Sequence, residues 1–225
     1  MSANQPPKYA WSYSSINLFK QCPQKYYRIR VKKDIVEPES DAMRYGTEVH
    51  KAAEDYVRGS ALPEAFKYMQ PIIDSLMAKE GEKSVEIKMA LDASLQPCDW
   101  FDKKVWVRGI ADLLIIDDDG LKAWVIDYKT GNDKYPDKDQ LILMSLMVFA
   151  HFPHIRQVNS ALLFVVKGSA VKHKMTLDEV EFHWWRYRER VAKLAASYAN
   201  DVWNPNSTPL CGWCPVKSCE FHPKH

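Results

Sequence analysis

Asp112 lies in the run GIADLLII and Asp127 in WVIDYKT, and both carboxylates interrupt stretches that otherwise read as buried β-strand. An ionised carboxylate left unpaired in an apolar setting costs several kcal/mol, or shifts its pKa until it is neutral. Two of them on facing strands of one hairpin repel unless a cation lies between them. A divalent ion meets that cost: hard ions such as Mg2+ take oxygen ligands, often one or two carboxylates with water and substrate phosphate. Lys129 stands two positions after Asp127, and because side chains alternate along a strand the two point to one face. An ammonium there can stabilise an attacking hydroxide or the charge developing on a phosphorane. A structural Asp–Lys pair at a strand end is the plain alternative for that short motif taken alone.

The elements that must present these groups are legible in the periodicity. Residues 104–117 (KVWVRGIADLLIID) and the following LKAWVIDYKT are β-rich runs, and DDDG at 117–120 is a turn signal, so together they make a hairpin. Alternation over 84–92 (Val85, Ile87, Met89, Leu91) adds a strand before it. Upstream, residues 12–30 read as a short helix followed by an aromatic and basic stretch. Residues 42–58 have helical spacing, with His50 among the row Met43, Gly46, Ala53 and Val57; a second helix covers 63–80, closed by Gly81. Downstream, residues 137–151 form a helix apolar nearly all round from Leu141 to Phe149, which implies packing on more than one side. Two strands follow over 158–167 and 170–175. Thr176 and Glu179 match a capping box that opens a long helix running to about Asp201. Helices, three strands, helix, strands, helix: the order predicts an α/β core with a mixed sheet. The expected segments are a mobile N-terminus over 1–11, one domain over 12–204 and a Cys-rich tail over 205–225.

Charge narrows the function classes. Lys and Arg number 31 against 29 Asp and Glu in 225 residues, so a blanket of positive charge is absent. A nucleic-acid partner would have to be held by a local groove or by bound metal, which argues against a histone-like or purely electrostatic binder. No apolar run approaches the roughly 18 residues that span a bilayer. The first residues lack the order of a secretory signal, and the expected compartment is the reducing cytoplasm. Cysteines in that compartment more often hold metal than form disulfides. Cys211, Cys214, Cys219 and His222 supply four ligands within the tail, adequate for a local zinc site; an unmetallated tail packed around Trp213 is the other reading. Cys98 reads as an ordinary thiol.

Two basic and aromatic stretches invite a nucleic-acid reading. Trp184, Trp185 and Tyr187 lie on the long helix with Arg186, Arg188 and Arg190, a set that can stack bases and hold phosphates. The preferred reading is a helix that buries its Trp face and solvates its Arg face. The same holds for Lys25, Arg28, Arg30, Lys32 and Lys33, while Lys103 and Lys104 read as strand-end solubilisers.

GTEVH (46–50) on a helix, GIAD (109–112), IDYKTG (126–131) and Gln140 opening the next helix resemble, in order and spacing, the RecB-like branch of PD-(D/E)xK nucleases. This is the branch of CRISPR-associated RecB-like and AddB-type iron–sulfur exonuclease domains. SYSSINLFKQCPQKYY (12–27) is similar to its N-terminal signature, so the resemblance runs from about residue 12 to 222. It implies a restriction-endonuclease-like core and gives the residues roles. His50 would be a metal ligand from its helix, suiting Mn2+ as well as Mg2+. Asp112 and Asp127 would be carboxylate ligands, with the Tyr128 carbonyl a further oxygen. Lys129 would position or activate water, Gln140 would orient the lysine or the DNA backbone, and Glu86 would stand in the outer shell. Cys22 would join Cys211, Cys214 and Cys219 around a [4Fe–4S] cluster that staples the tail to the N-terminal segment. The last cysteine spacing is one residue shorter than the commonest form. Met144 stands where the branch often has a tyrosine one turn after the glutamine. The implied activity is Mg2+- or Mn2+-dependent hydrolysis of DNA, as an exonuclease on single strands or duplex ends. The implied setting is recombination, repair or foreign-DNA processing, in a phage and its host cytoplasm, with a helicase or recombinase as partner. A structure- or site-specific endonuclease and a catalytically silent DNA-binding module of the same fold are the rivals.

Overall fold

The computed structural model describes residues 10–134 and 136–223. In chain order the helices and strands are α1 (Tyr13–Gln21), α2 (Pro23–Tyr26), α3 (Asp41–Val57), α4 (Gln70–Met77), β1 (Glu82–Asp92), β2 (Val105–Ile116), β3 (Lys122–Lys129), α5 (Asp139–His151), β4 (Gln157–Phe164), β5 (Ser169–Thr176) and α6 (Val180–Asn200). Short caps explain where the helices start. Ser12 and Ser15 form a reciprocal capping box on α1, the Ser40 side chain accepts the Met43 N–H of α3, and Thr176 and Glu179 form the box read from sequence.

The region expected as one helix over 63–80 is instead a 3-10 turn (Glu64–Met69) followed by α4, which ends at Met77. Pro71 is the reason: without an N–H it is tolerated only in a first turn, so the α-helix restarts around it. Gly81 does not close that helix. It has φ +111°, and a Cβ there would lie 2.1 Å from the Ile116 carbonyl oxygen. Only glycine lets the chain enter β1 against the end of β2.

The five strands form one sheet in the order β1-β2-β3-β4-β5. Neighbours are antiparallel except β3 and β4, which are parallel. A parallel pair needs a crossover, and α5 supplies it. The sheet is therefore mixed, as expected. The inner strand β4 separates two apolar layers by alternation. Ala161 and Leu163 face Val49, Ala53, Met69 and Ile73 of the α3–α4 side, whereas Leu162 and Phe164 pack with Leu141 of α5. Residues Leu141 to Phe149 of α5 are all buried, which accounts for a helix with no polar face.

The chain divides into two compact units. Ser40–Trp184 contains the whole sheet with α3, α4 and α5; the other unit joins the described residues before Ser40 to those from Trp185 onward. In the latter, Tyr26, Tyr198 and Trp203 form an aromatic core with Phe19, and the Tyr26 and Tyr198 hydroxyls lie 3.1 Å apart. The expected mobile stretch 1–11 lies outside the described residues as far as residue 9, and Trp11 is buried and stacked on Tyr187. On α6, Trp184 and Tyr187 are buried while Trp185 is 58% exposed, so the helix hides one tryptophan and shows the other. Among the described residues no helix is long and apolar enough to cross a membrane.

Candidate metal centre and active site

The site forms where β2 and β3 part. Their ladder runs only from Leu113↔Ile126 to Ile116↔Ala123, although β2 extends back to Val105 and β3 on to Lys129. Beyond the last pair, the backbone N–H of Tyr128 has no carbonyl of β2 to donate to. It donates to Asp112 Oδ2 at 2.6 Å instead. Asp112 thus closes the ladder with its side chain, and its second oxygen is free to face His50, whose Nδ1 lies 3.2 Å from Oδ1. Hydrogen bonds to charged groups of this kind contribute about 1.5–3 kcal/mol each, enough to hold a carboxylate that is only 8% exposed.

His50 reaches this point from α3. Its ring stands edge-on to Tyr128, with centroids 6.1 Å apart at 88°. The hydrogen bond that His50 donates to Asp112 raises its pKa above the ordinary 6.5, against the lowering effect of burial. Glu86 completes the cluster from β1. It falls between the pairs Val85↔Leu113 and Ile87↔Ala111, and therefore opposite Asp112. Ligand atoms of His50, Glu86 and Asp112 lie within 4.8 Å of one another. Glu86 adopts φ +52°, a left-handed conformation rare for a residue with a side chain. Burial, followed by repulsion from Asp112, pushes its carboxyl above the usual range. One imidazole and two carboxylates under mutual strain are a donor set that suits a hard or borderline divalent ion.

Asp127 belongs to a second cluster. It is 6% exposed; Gln140 Nε2 donates to its Oδ1 at 2.5 Å and Lys129 Nζ pairs with its Oδ2 at 2.5 Å. Burial pushes its pKa up to about 6, Lys129 opposing and Asp112 reinforcing the shift. Asp127 and Lys129 do share a face, as alternation requires. Gln140 is in the first turn of α5 and touches Asp127 rather than Lys129. Glu86, expected in the outer shell, stands in one group with His50 and Asp112. Met144 is 4% exposed, and its sulfur would lie 3.2 Å from a Cβ placed on Gly109. That position faces the core, and the glycine of GIAD is what lets α5 approach β2.

Cys22, Cys211, Cys214 and Cys219 lie in the other unit and Cys98 in the sheet unit, all half-buried and free. Cys22 caps α2, and its sulfur accepts the backbone N–H groups of Lys25 and Asn206, each at 3.4 Å. Asn206 Nδ2 also donates to the Gln21 carbonyl at 2.9 Å, so the start of the tail is fastened beside Cys22. The Cys211 sulfur accepts the Thr208 N–H at 3.3 Å. Donors aimed at sulfur suit thiolates. No three of these thiols and His222 reach the mutual spacing that His50, Glu86 and Asp112 do.

The parted sheet thus brings an Asp/Asp/Lys set beside a histidine and a glutamate. The sequence matches the model of the PD-(D/E)XK nuclease superfamily over residues 10–104 and 72–219, and the chain belongs to that superfamily. Among solved structures, a candidate exonuclease from Eubacterium rectale shares the fold, with a TM-score of 0.54 at 15% identity over 97% of this chain and 91% of that one. The structure of SSO0001 aligns over 96% of this chain and 87% of its own, with a TM-score of 0.42 at 15% identity. No curated protein matches the sequence.

Proposed function

We propose that the chain is a Mg2+- or Mn2+-dependent deoxyribonuclease of the RecB-like branch, an exonuclease that works on single strands or DNA ends. The observation that carries this is the close group His50, Glu86 and Asp112 set beside buried Asp127 and its ion pair with half-buried Lys129. His50, Glu86, Asp112 and Asp127 would hold the ion, and the Tyr128 carbonyl is a further donor. Bound there, such an ion supplies Lewis acidity toward phosphate and a water of lowered pKa. The chain's own groups do the rest. Asp112 is oriented by the Tyr128 N–H and by His50, and Gln140 fixes one oxygen of Asp127. Lys129 is held by the other oxygen, where its ammonium can steady an incoming hydroxide and the charge on the phosphate.

For the second unit the proposal is a [4Fe–4S] cluster on Cys22, Cys211, Cys214 and Cys219. Sulfurs of Cys22 and Cys211 that accept backbone N–H groups suit thiolate ligands, and a zinc site using His222 is the alternative. Recombination, repair or processing of DNA, with a helicase or recombinase alongside, is the setting we assign.

The test is cleavage of end-labelled single- and double-stranded DNA, linear and circular, in Mg2+, Mn2+ or EDTA. Metal-dependent loss of linear DNA with circles spared is the expected result. Nicked or linearised circles would make the enzyme an endonuclease. No cleavage by folded protein carrying its metals would remove the nuclease reading.

A further inference from the structure

The β1–β2 hairpin does not end at the metal centre. Two pairs outward from Glu86 and Asp112 along the same ladder stand Lys88 and Ile110, both exposed, and two pairs further are Ala90 and Arg108. The loop that joins the two strands then folds back over them. Lys88 Nζ sits 5.8 Å from the centroid of the Trp100 ring, and the Arg108 guanidinium lies 5.4 Å from Trp100 and 6.0 Å from Phe101. Phe101 is 85% exposed, and the Arg108 Nε is buried without a hydrogen-bond partner. An exposed phenylalanine beside an indole already braced by two cations is not a way of building a core.

We infer that Lys88, Arg108, Trp100 and Phe101 form a track for a single-stranded segment of the DNA substrate, leading from the metal centre along the hairpin. The inference rests on the nuclease reading and names the strand that this site receives. From Asp112 to Arg108 is four residues of strand, about 13 Å, a span of a few nucleotides. Cations interleaved with aromatic faces are what single strands require: phosphates pair with the charges, and unstacked bases lie on the rings. A duplex keeps its bases stacked and gains nothing from Phe101. The loop's acidic groups do not oppose the track uniformly. Asp92 accepts the N–H groups of Ser94 and Gln96, and Asp102 accepts that of Lys104, so these two carboxylates are engaged by the loop's own backbone, while Asp99 beside Trp100 is exposed.

The experiment is fluorescence anisotropy in EDTA with a labelled short oligothymidylate and with a blunt duplex of the same length, for wild type, Phe101→Ala and Lys88→Gln. Both substitutions are at exposed positions and leave the fold in place. Phe101→Ala should weaken oligothymidylate binding about five- to ten-fold and duplex binding hardly at all. Lys88→Gln should lower the slope of log affinity against log salt by about 0.7. Mn2+ affinity at the metal centre should be unchanged in both. If both variants bind the single strand like wild type, or if single strand and duplex weaken alike, the track is wrong even where wild type cleaves DNA. If wild type binds through Phe101 yet cuts nothing in Mn2+, the track stands and the nuclease reading falls. A Phe101-dependent dimer of the chain without single-strand binding would reassign the patch to a protein contact.

Discussion

In the sheet unit Asp112 and Asp127 have both carboxylate oxygens engaged by the protein: a backbone N–H and His50 on one, Gln140 and Lys129 on the other. In the other unit the tail that carries three of the four proposed cluster ligands has almost no core of its own. After Asp201 only Val216 among the described residues is buried, while Leu210 is 69% and Trp213 82% exposed. The carboxylates are thus positioned by the sheet's own groups, and an ion bound there would add chemistry to that scaffold. The thiols sit on a segment too short to bury apolar surface, where metal binding would itself be folding free energy. One metal site would report on activity, the other on stability.

The largest effect should come from Asp112. Asp112→Asn keeps an acceptor for the Tyr128 N–H, so stability should change little, while Mn2+ binding is lost and cleavage falls by about a thousand-fold or more. Asp112→Ala should show the same loss of activity together with about 1–3 kcal/mol of destabilisation, because the buried N–H is left unpaired. Calorimetric Mn2+ titration with urea melts separates the two. A denatured Asp112→Asn protein would mean that Asp112 is a structural residue first.

Lys129→Ala sharpens the same comparison from the other cluster. Cleavage should drop about a hundred- to a thousand-fold, with Mn2+ affinity retained, since the ammonium repels the ion rather than binding it. Loss of metal binding in this variant would merge the two clusters into one structural network.

The thiols should behave in reverse. Protein purified without oxygen should be brown and hold about four irons per chain. Cys211→Ser with Cys214→Ser should abolish the iron and lower Tm, yet leave Mn2+ affinity intact. One zinc per chain in a colourless protein would replace the cluster by the His222 site.

The strands, the turn at 117–120 and the long capped helix were legible because they rest on local rules: alternation, an Asp/Gly turn, and a Thr–Glu box. Asp112, Asp127 and Lys129 were legible because charge inside apolar strands demands an explanation. The break of the 63–80 region at Pro71 was equally local and was overlooked. What could not be read is the parting of β2 from β3, because it depends on where a ladder stops rather than on which residues compose it. The prominence of Glu86 and the contact of Gln140 with Asp127 both follow from that parting. The preferred burial of the whole Trp face of α6 met its limit at Trp185, which neighbours Trp184 in sequence and therefore points away from it.

Acid should weaken the sheet unit through two histidines distant from the metal ligands. His151 at the end of α5 lies 3.2 Å from the Ala90 carbonyl through Nε2, and burial lowers its pKa from 6.5; burial does the same to His173. A depressed folded pKa contributes stability that is present above the unfolded value and lost as pH falls through the folded one. Urea midpoints of His151→Gln should therefore vary less with pH below 6.5 than those of wild type. Equal slopes would show that His151 carries none of the acid sensitivity.

Glu86 gives the smallest effect and the most direct separation of site from scaffold. Its φ of +52° is strained for any residue with a Cβ, and glycine relieves that strain. Removing the side chain also removes a carboxylate held above its usual pKa by burial and by Asp112. Both changes favour the metal-free fold, whereas glycine's gain of freedom in the unfolded chain opposes them. Glu86→Gly should accordingly leave metal-free stability unchanged or higher by up to about 1 kcal/mol, while Mn2+ affinity falls about ten- to a hundred-fold. Glu86→Ala should lose the same affinity without the gain in stability, because it keeps the strained Cβ. If Glu86→Gly binds Mn2+ as wild type does, the left-handed turn serves only the hairpin's path and the metal centre is His50 with the two aspartates. If it binds weakly and melts later, strain at Glu86 is held in place for the sake of the ion.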